Sequence, residues 1–438
     1  MPLLENEDGS RESMIQRVVR QAKKAAMADE ITIATNATQL DIIKNQLGDA
    51  VQVVTEPERR DTFPAIALAA SYLSLQKGCP DDETVIVMPC DPYTEDTYFS
   101  TIAKMAECVR ENVAELVLMG ITPTHPSTRY GYIVPGNPAE YLSKTTGIFA
   151  NNEPKTTGAV CMVDRFTEKP DEKTAVDLLY QHAMWNGGVF AFKLGYLMDI
   201  VRKYVQYPTF KEIRKHYGEF PKISFDYEVV EKAQSVAVVP FTGSWKDLGT
   251  WNTLTEELKH STVGNAIVGP HCKNVHVVNE LANPVFVDGI SDAVVAASPD
   301  GILVCSKADS DGIKDHVKGL VNRPMYEERR WGTYRVVDDE AYPDGSQALT
   351  KRITILAGRN SSYHKHLHRT ELWTFVKGEG IMVMDGETRP VNAGDMIVVP
   401  VGHFHALKAN TDISMIEVQI GNPLVEEDVE RIEYNWIW

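Results

Sequence analysis

The first third of the chain alternates between two periods. Apolar residues recur at helical spacing from Met14 to Ala26, Gln39 to Leu47, Pro64 to Leu75 and Tyr98 to Val113. Between these stretches lie short, nearly unbroken apolar runs at Ile31-Thr-Ile-Ala-Thr35, Val51-Gln-Val-Val54, Val85-Ile-Val-Met88 and Leu116-Val-Leu-Met119. A strand that is apolar on both faces is covered on both faces, so this alternation predicts a doubly wound α/β domain around a parallel sheet. Residues from about 123 to 260 mix loops with short strands and helices, Trp185-Asn-Gly-Gly-Val-Phe-Ala-Phe192 among them, and read as the second half of the same domain.

The pattern then changes. Val275-His-Val-Val278, Val285-Phe-Val287, Val294-Val295 and Ile302-Leu-Val304 are short strands broken by Asn, Gly, Pro and Asp, which predicts a small β-rich linker domain over 261–325, with one brief helical signal from Asp311 to Val321. From Arg330 to Gln419 only strands and turns are expected, punctuated by Gly358, Gly378, Gly386, Gly394 and Gly402 at intervals that suit an antiparallel barrel. The expected domains are therefore 1–260, 261–325 and 326–438.

A chain of 438 residues agrees with that count, at roughly 150 residues per domain. Hydrophobic residues at 43% and charged residues at 24% are ordinary for a globular protein, so neither disorder nor a fibrous repeat enters the reading. The formal charge of −17, with no run of Lys and Arg to offset it, argues against nucleic acid or an anionic membrane as partner. A nucleotide remains compatible, because net charge is screened within about 8–10 Å and a few placed cations with magnesium suffice locally. Six scattered cysteines without a CxxC pair point to a reducing cytoplasm rather than a disulfide framework or zinc knuckle. There is no apolar run of about 18 residues and no secretory pattern at the N-terminus, so neither membrane spanning nor secretion is expected.

The most specific chemistry lies late in the chain. After Gly358 come five residues, then His364, Lys365 and His366, four more, Glu371, six more, and Gly378; a second block carries Gly394, Pro400, Gly402 and His405, with Asn410 one place later than usual. Alternate side chains of a strand share a face, so His364 and His366 point together into the barrel, where Glu371 and His405 complete a set of three imidazoles and a carboxylate. That set suits a divalent transition metal, and iron, manganese, nickel, cobalt and zinc all accept it. His368 and His403 are expected outside the set. The two blocks resemble the paired motifs of the cupins, and the barrel is read as one.

Within 10–260 several segments are similar, in order and spacing, to bacterial mannose-1-phosphate guanylyltransferases that carry a cupin extension. Val85-Ile-Val-Met-Pro-Cys-Asp91 ends an apolar strand on a carboxylate at the edge where α/β sheets place ligands. Gly243-Ser-Trp-Lys-Asp247-Leu-Gly-Thr-Trp251 supplies a second acid. The resemblance implies a Rossmann-like nucleotidyltransferase domain in which Asp91 and Asp247 hold magnesium. It also implies that the loop with Glu56, Pro57, Arg60, Thr62 and Pro64 faces the guanine base. Gly131 would let the sugar approach, Glu168 and Asn186 would read its hydroxyls, and Lys169 would neutralise its phosphate. The implied substrates are GTP and mannose 1-phosphate and the implied product GDP-mannose. No enzyme nucleophile is called for, since transfer of this kind is positioning plus charge stabilisation.

Family members open with a buried strand running into a glycine-rich loop with an Arg and a following Lys. This chain opens Met1-Pro-Leu-Leu-Glu-Asn, so the resemblance implies about 25 residues upstream and a start at an internal methionine, with transfer weakened in a chain without them. Arg329-Arg-Trp-Gly-Thr-Tyr334 and His368-Arg-Thr-Glu371 resemble segments of the mannose-6-phosphate isomerases. The Tyr-Gly-Arg ending of that group does not follow Glu430-Arg-Ile-Glu-Tyr-Asn-Trp436, and His364 stands where many isomerases carry Gln. Three readings follow: a guanylyltransferase, an added isomerase in the cupin, or a non-catalytic sugar-nucleotide binder with a regulatory cupin. A homodimer through exposed sheet edges is the expected assembly.

Overall fold

Every residue of the strand Leu116–Ile121 is buried, and its side chains go alternately to two cores. Leu116 and Leu118 join Val236 and Val238 against the helix Thr62–Ser71, while Val117 and Met119 join Ala237 and Val239 against the helix Asp96–Arg110. This two-sided burial is what the unbroken apolar runs encode. The structure, a computed structural model, describes residues 3–6, 8–25, 30–136, 160–317, 319–320, 323–434 and 436. They fall into two compact units, Met1–Leu40 with Leu47–Leu258 and Asp41–Gln46 with Lys259–Trp438.

In the first unit the main sheet runs Thr84–Val87, Met184–Lys193, Leu116–Ile121, Val236–Phe241, Cys161–Thr167, Tyr132–Pro135. It is mixed, not parallel as expected. Leu116–Ile121 and Val236–Phe241 are parallel, but Met184–Lys193 lies antiparallel between Thr84–Val87 and Leu116–Ile121. A strand buried on both faces reads the same in either direction, so the apolar pattern carries no information on polarity. The expected single sheet is also divided: among the described residues Thr32–Asn36 and Gln52–Glu56 pair in parallel only with each other, and Thr84–Val87 forms an edge of the six-stranded sheet. Helices form at Met14–Lys24, where Ser13 and Gln16 make a reciprocal capping box, and at Leu40–Leu47. The expected helix ends at Ala26 and Val321 fall outside the described residues; the second helix spans Ile313–Val317.

The second unit begins with short parallel stacks. Thr262–Val263, His276–Asn279 and Ala293–Ser298 pair in that order, Ala266–Val268 pairs with Val285–Val287, and Val275, Val277, Ala293 and Val295 fill a small core. Two antiparallel sheets follow. One runs Tyr326–Arg329, Gly332–Ala341, Gln347–Ile355, Ile413–Gly421, Arg369–Lys377, Met396–Val399, and the other Glu387–Asn392, Glu379–Met384, His405–Ala409, His364–Lys365, Glu430–Arg431. Both contribute to one core around Leu349, Trp373, Phe375, Met382, Leu407 and Met415, as a cupin barrel requires.

Candidate functional sites

Along Arg369–Lys377 the residues Arg369, Glu371, Trp373 and Phe375 are buried in alternation, which turns Glu371 inward. His364 pairs directly with His405 across neighbouring strands. The ring nitrogens of His364, His366 and His405 lie within 4.8 Å of one another. Each Nδ1 faces a backbone carbonyl: that of Ser362 for His364 (2.7 Å), of Asp428 for His366, and of His403 for His405 (3.0 Å). Those carbonyls accept an Nδ1–H, which leaves the three Nε2 atoms for whatever occupies the centre.

Glu371 lies 3.0 Å from His366 Nε2 and 3.3 Å from His405 Nε2. Burial opposes its charge, but the two imidazoles beside it outweigh burial and hold its carboxyl well below the usual range. Burial, then His405, pushes His364 down to about 3, so that ring is neutral and its lone pair is open to a cation. Three imidazole nitrogens and a carboxylate gathered within a few ångströms make a donor set that fits a divalent metal.

Sequence reasoning missed what holds this set. Arg369 donates from Nε to Glu371 Oε1 (3.1 Å), Trp373 Nε1 donates to Oε2 (3.2 Å), and Asp428 accepts from the backbone N–H of Leu367 (3.0 Å) and His368 (3.1 Å). His368 and His403 stand apart, each against an aspartate, Asp428 and Asp385. The cluster borders a cavity of about 730 Å³ whose lining includes Lys351, Arg359, Arg369, Glu417 and Arg431. Burial and then the charge of Glu371 push Glu417 up to about 7.

In the first unit the two acids meet through a strand pair. Pro92–Thr94 lies antiparallel to Trp245–Asp247 with Asp247 opposite Pro92, next to Asp91. Asp91 as a residue is exposed, yet its carboxyl is desolvated enough that, with the charge of Asp247, its pKa is raised. Two adjacent carboxylates, the charge of one raising the pKa of the other, fit a divalent cation. Tyr130 links this pair to the next group, its ring centroid 5.6 Å from Trp245 and 4.9 Å from Trp185. Asn186 follows Trp185, and Gly131 follows Tyr130.

At that end the Asn186 N–H donates to the Gly131 carbonyl (2.8 Å). A Cβ on Gly131 would fall 2.4 Å from Glu168 Oε2, so only glycine admits the carboxylate there. Glu168 Oε1 is 3.0 Å from Lys169 Nζ, and its Oε2 is buried without a hydrogen-bond partner among the described residues. Lys169 has φ +42°, a left-handed backbone for a non-glycine residue, and the hydrogen bond it donates to Glu168 raises its pKa. Asp226 joins this group unforeseen, accepting from Asn186 Nδ2 at 2.6 Å. Its only sequence signal is an acid after the apolar Ile223 and Phe225, which is too weak to single out.

The loop from Glu56 to Pro64 is pinned. Tyr217 Oη donates to Glu56 Oε2 (2.8 Å), Arg60 Nη1 to the Phe220 carbonyl (2.7 Å), and the Phe225 N–H to Thr62 Oγ1 (2.8 Å). Pro64 is buried in the first turn of its helix, and Pro57 is exposed. Glu56, Arg60 and Thr62 thus brace the loop against 217–225, a second task beside the nucleotide contact expected of them.

Comparison with known proteins bears on both units. Residues 318–434 match the family model for the mannose-6-phosphate isomerase C-terminal domain. The chain is 28% identical to mannose-1-phosphate guanylyltransferase RfbM of Salmonella typhimurium, over 96% of this chain and 90% of that one. It is 29% identical to the mannose-1-phosphate guanylyltransferase of Escherichia coli K12, over 86% and 81%. The crystal structure described as mannose-1-phosphate geranyltransferase from Thermus thermophilus superposes with a TM-score of 0.53 at 26% identity, covering 72% of this chain and 90% of that one. The nucleotidyl transferase family model matches residues 2–263, more than half of the chain, and the protein belongs to that family.

Proposed function

We propose that this protein is a mannose-1-phosphate guanylyltransferase. The observation that carries the reading is the continuity, through Tyr130 and its two tryptophans, of the Asp91 and Asp247 pair with the Glu168, Lys169 and Asn186 group. An oxygen of mannose 1-phosphate attacks the α-phosphorus of GTP, the bond to the bridging oxygen of the β-phosphate breaks, and pyrophosphate leaves with the electron pair. Lys169 neutralises the sugar phosphate, while Glu168 and Asn186 read hydroxyls beside Gly131. The loop bearing Glu56, Pro57, Arg60, Thr62 and Pro64 presents a rigid edge to the base. Asp91 and Asp247 would hold magnesium, which supplies positive charge against the phosphates. Incubation with GTP, mannose 1-phosphate and magnesium should release pyrophosphate and form GDP-mannose. Binding of GDP-mannose without turnover would establish the non-catalytic reading instead.

A second activity is favoured by the cupin cavity, which sets the His364, His366, Glu371 and His405 cluster among basic side chains. With a divalent transition metal held by those four residues, it suits aldose to ketose isomerisation of mannose 6-phosphate. A coupled assay for fructose 6-phosphate across common divalent metals tests it, and no turnover with any of them rejects it. A homodimer is proposed through the edge strand Met396–Val399, where Met396 is 78% and Val398 57% exposed beside Val376 at 59%. Light scattering at working concentration tests that assembly. Among the described residues no helix is long and apolar enough to cross a membrane, and the cytoplasm, where nucleotide and sugar phosphates are held, is the proposed place of reaction.

A further inference from the structure

The proposed reaction leaves Asp226 without a task, although the fold anchors it firmly. The preceding Phe225 is fully buried, stacks near Phe190 with centroids 4.7 Å apart, and donates its N–H to Thr62. Asp226 Oδ1 takes one N–H of the Asn186 amide at 2.6 Å, and the Asn186 carbonyl oxygen accepts the Gly188 N–H at 3.1 Å. Asn186 is therefore locked, with a single amide hydrogen left for a ligand.

The neighbouring Glu168 is short of donors. Its side chain is only 6% exposed, Lys169 satisfies Oε1, and Oε2 is enclosed with no partner among the described residues. Leaving a buried carboxylate oxygen unpaired costs about 1–3 kcal/mol, and more for a charged group, so such an atom marks the place of a missing donor. Asp226 lies beside it, close enough for the two charges to interact. Burial and the charge of Glu168 destabilise its carboxylate, and Lys169 and Asn186 offset this only in part. Two carboxylates thus share one ammonium and one amide beside Gly131 and the buried Trp185. Vicinal hydroxyl groups supply the missing donors, because each O–H donates to one oxygen and each hydroxyl oxygen can still accept.

Building on the sugar-phosphate reading of this pocket, we infer that Asp226 is a sugar-hydroxyl acceptor that acts beside Glu168. The pair decides which hexose 1-phosphate is admitted.

Asp226→Asn tests this in the full chain, because the amide is isosteric and its Oδ1 still accepts from Asn186, so a merely positional role is preserved. The KM for mannose 1-phosphate should rise about 10–100-fold, the worth of a hydrogen bond to a charged group, while the KM for GTP stays within about 2-fold. The penalty should vanish on the deoxy analogue that lacks the contacted hydroxyl. An unchanged KM for the sugar phosphate, or the same penalty on every deoxy analogue, overturns the inference. Calorimetry with mannose 1-phosphate separates it from its parent reading. If the native chain binds the sugar phosphate without turnover, the transferase reading fails, and the inference stands only if Asp226→Asn weakens that binding. Equal binding by the two chains, or binding by neither, rejects it.

Discussion

The cupin centre draws its imidazoles from one sheet, where His364 pairs with His405 and His366 follows the strand, and its carboxylate from the facing sheet, all between His364 and His405. The proposed transferase site draws its acids, lysine and amide from segments spread between Asp91 and Asp247. In the barrel, alternation along a strand and pairing between strands fix where each ligand points, so spacing in sequence translates into geometry. In the proposed transferase site, no spacing rule connects Asp91 with Asp247 or Asn186 with Asp226. Those contacts exist because Pro92–Thr94 pairs with Trp245–Asp247 and because Phe225 is anchored in the core. A site built on local periodicity declares itself in sequence, whereas a site built on long-range contacts needs the fold.

The sharpest way to break the comparison is to disable one site and watch the other. Asp247→Asn keeps an acceptor for the Gly249 N–H, a bond of 2.8 Å, and removes a charge from the pair with Asp91. The transferase kcat should fall about 10²–10³-fold, as when one preorganised electrostatic group is lost. Metal content of the cupin, by plasma mass spectrometry, should be unchanged. A parallel loss of bound metal would mean that the two sites are one functional unit.

The contrast also sorts what could be read beforehand. The four cupin candidates were legible because HxH alternation is a geometric statement, but Arg369 and Asp428 were not. Arg369 reads as one more surface arginine until Glu371 is seen against it, and Asp428 lies 62 residues from His366, to which it lends its carbonyl. In the α/β unit the apolar runs located the strands within a residue or two. They could not show that Met184–Lys193 runs antiparallel, since two-sided burial is blind to direction. Glu168 and Lys169 were singled out only through family resemblance, and the Glu168 oxygen left without a partner among the described residues is a property of packing.

Supporting residues offer the next test. Asp428→Ala removes the acceptor for the Leu367 and His368 N–H groups and frees the loop that carries His366. Affinity for a divalent transition metal should drop about 10–100-fold, the usual cost of losing a residue that orients a ligand. Titration against a competing chelator measures it, and guanylyl transfer should not move. Unaltered affinity would mean that the barrel orients His366 without this loop.

Gly131→Ala perturbs the other site by shape alone. The new methyl would meet Glu168 Oε2 at 2.4 Å and the Phe166 ring at 2.8 Å, so either the carboxylate or the loop must shift. Overpacking of this kind costs about 1–3 kcal/mol, to be read as a lower unfolding midpoint together with a raised KM for the sugar phosphate. A variant with native stability and native KM would show that Glu168 moves away freely and is not fixed by its packing.

The smallest effect discriminates best between packing and function. Burial, then Glu168, raises Asp226 to about 6, with Asn186 and Lys169 opposing the shift. A carboxyl whose folded pKa is raised binds its proton more tightly in the folded chain. Its favourable contribution is complete below the unfolded value of about 3.9 and is lost as pH climbs through about 6. Asp226→Asn has no charge to desolvate, so it should be the more stable chain above pH 6, with the difference closing toward pH 4. After allowance for solvent screening the gain is about 1 kcal/mol, or about 2–4 °C in Tm for a unit of this size. A variant that binds sugar phosphate worse yet melts higher at pH 8 would show that the carboxylate is kept at a cost to the fold. If it instead melts lower, the contact with Asn186 outweighs the desolvation, and Asp226 belongs with the packing of the site rather than with its chemistry.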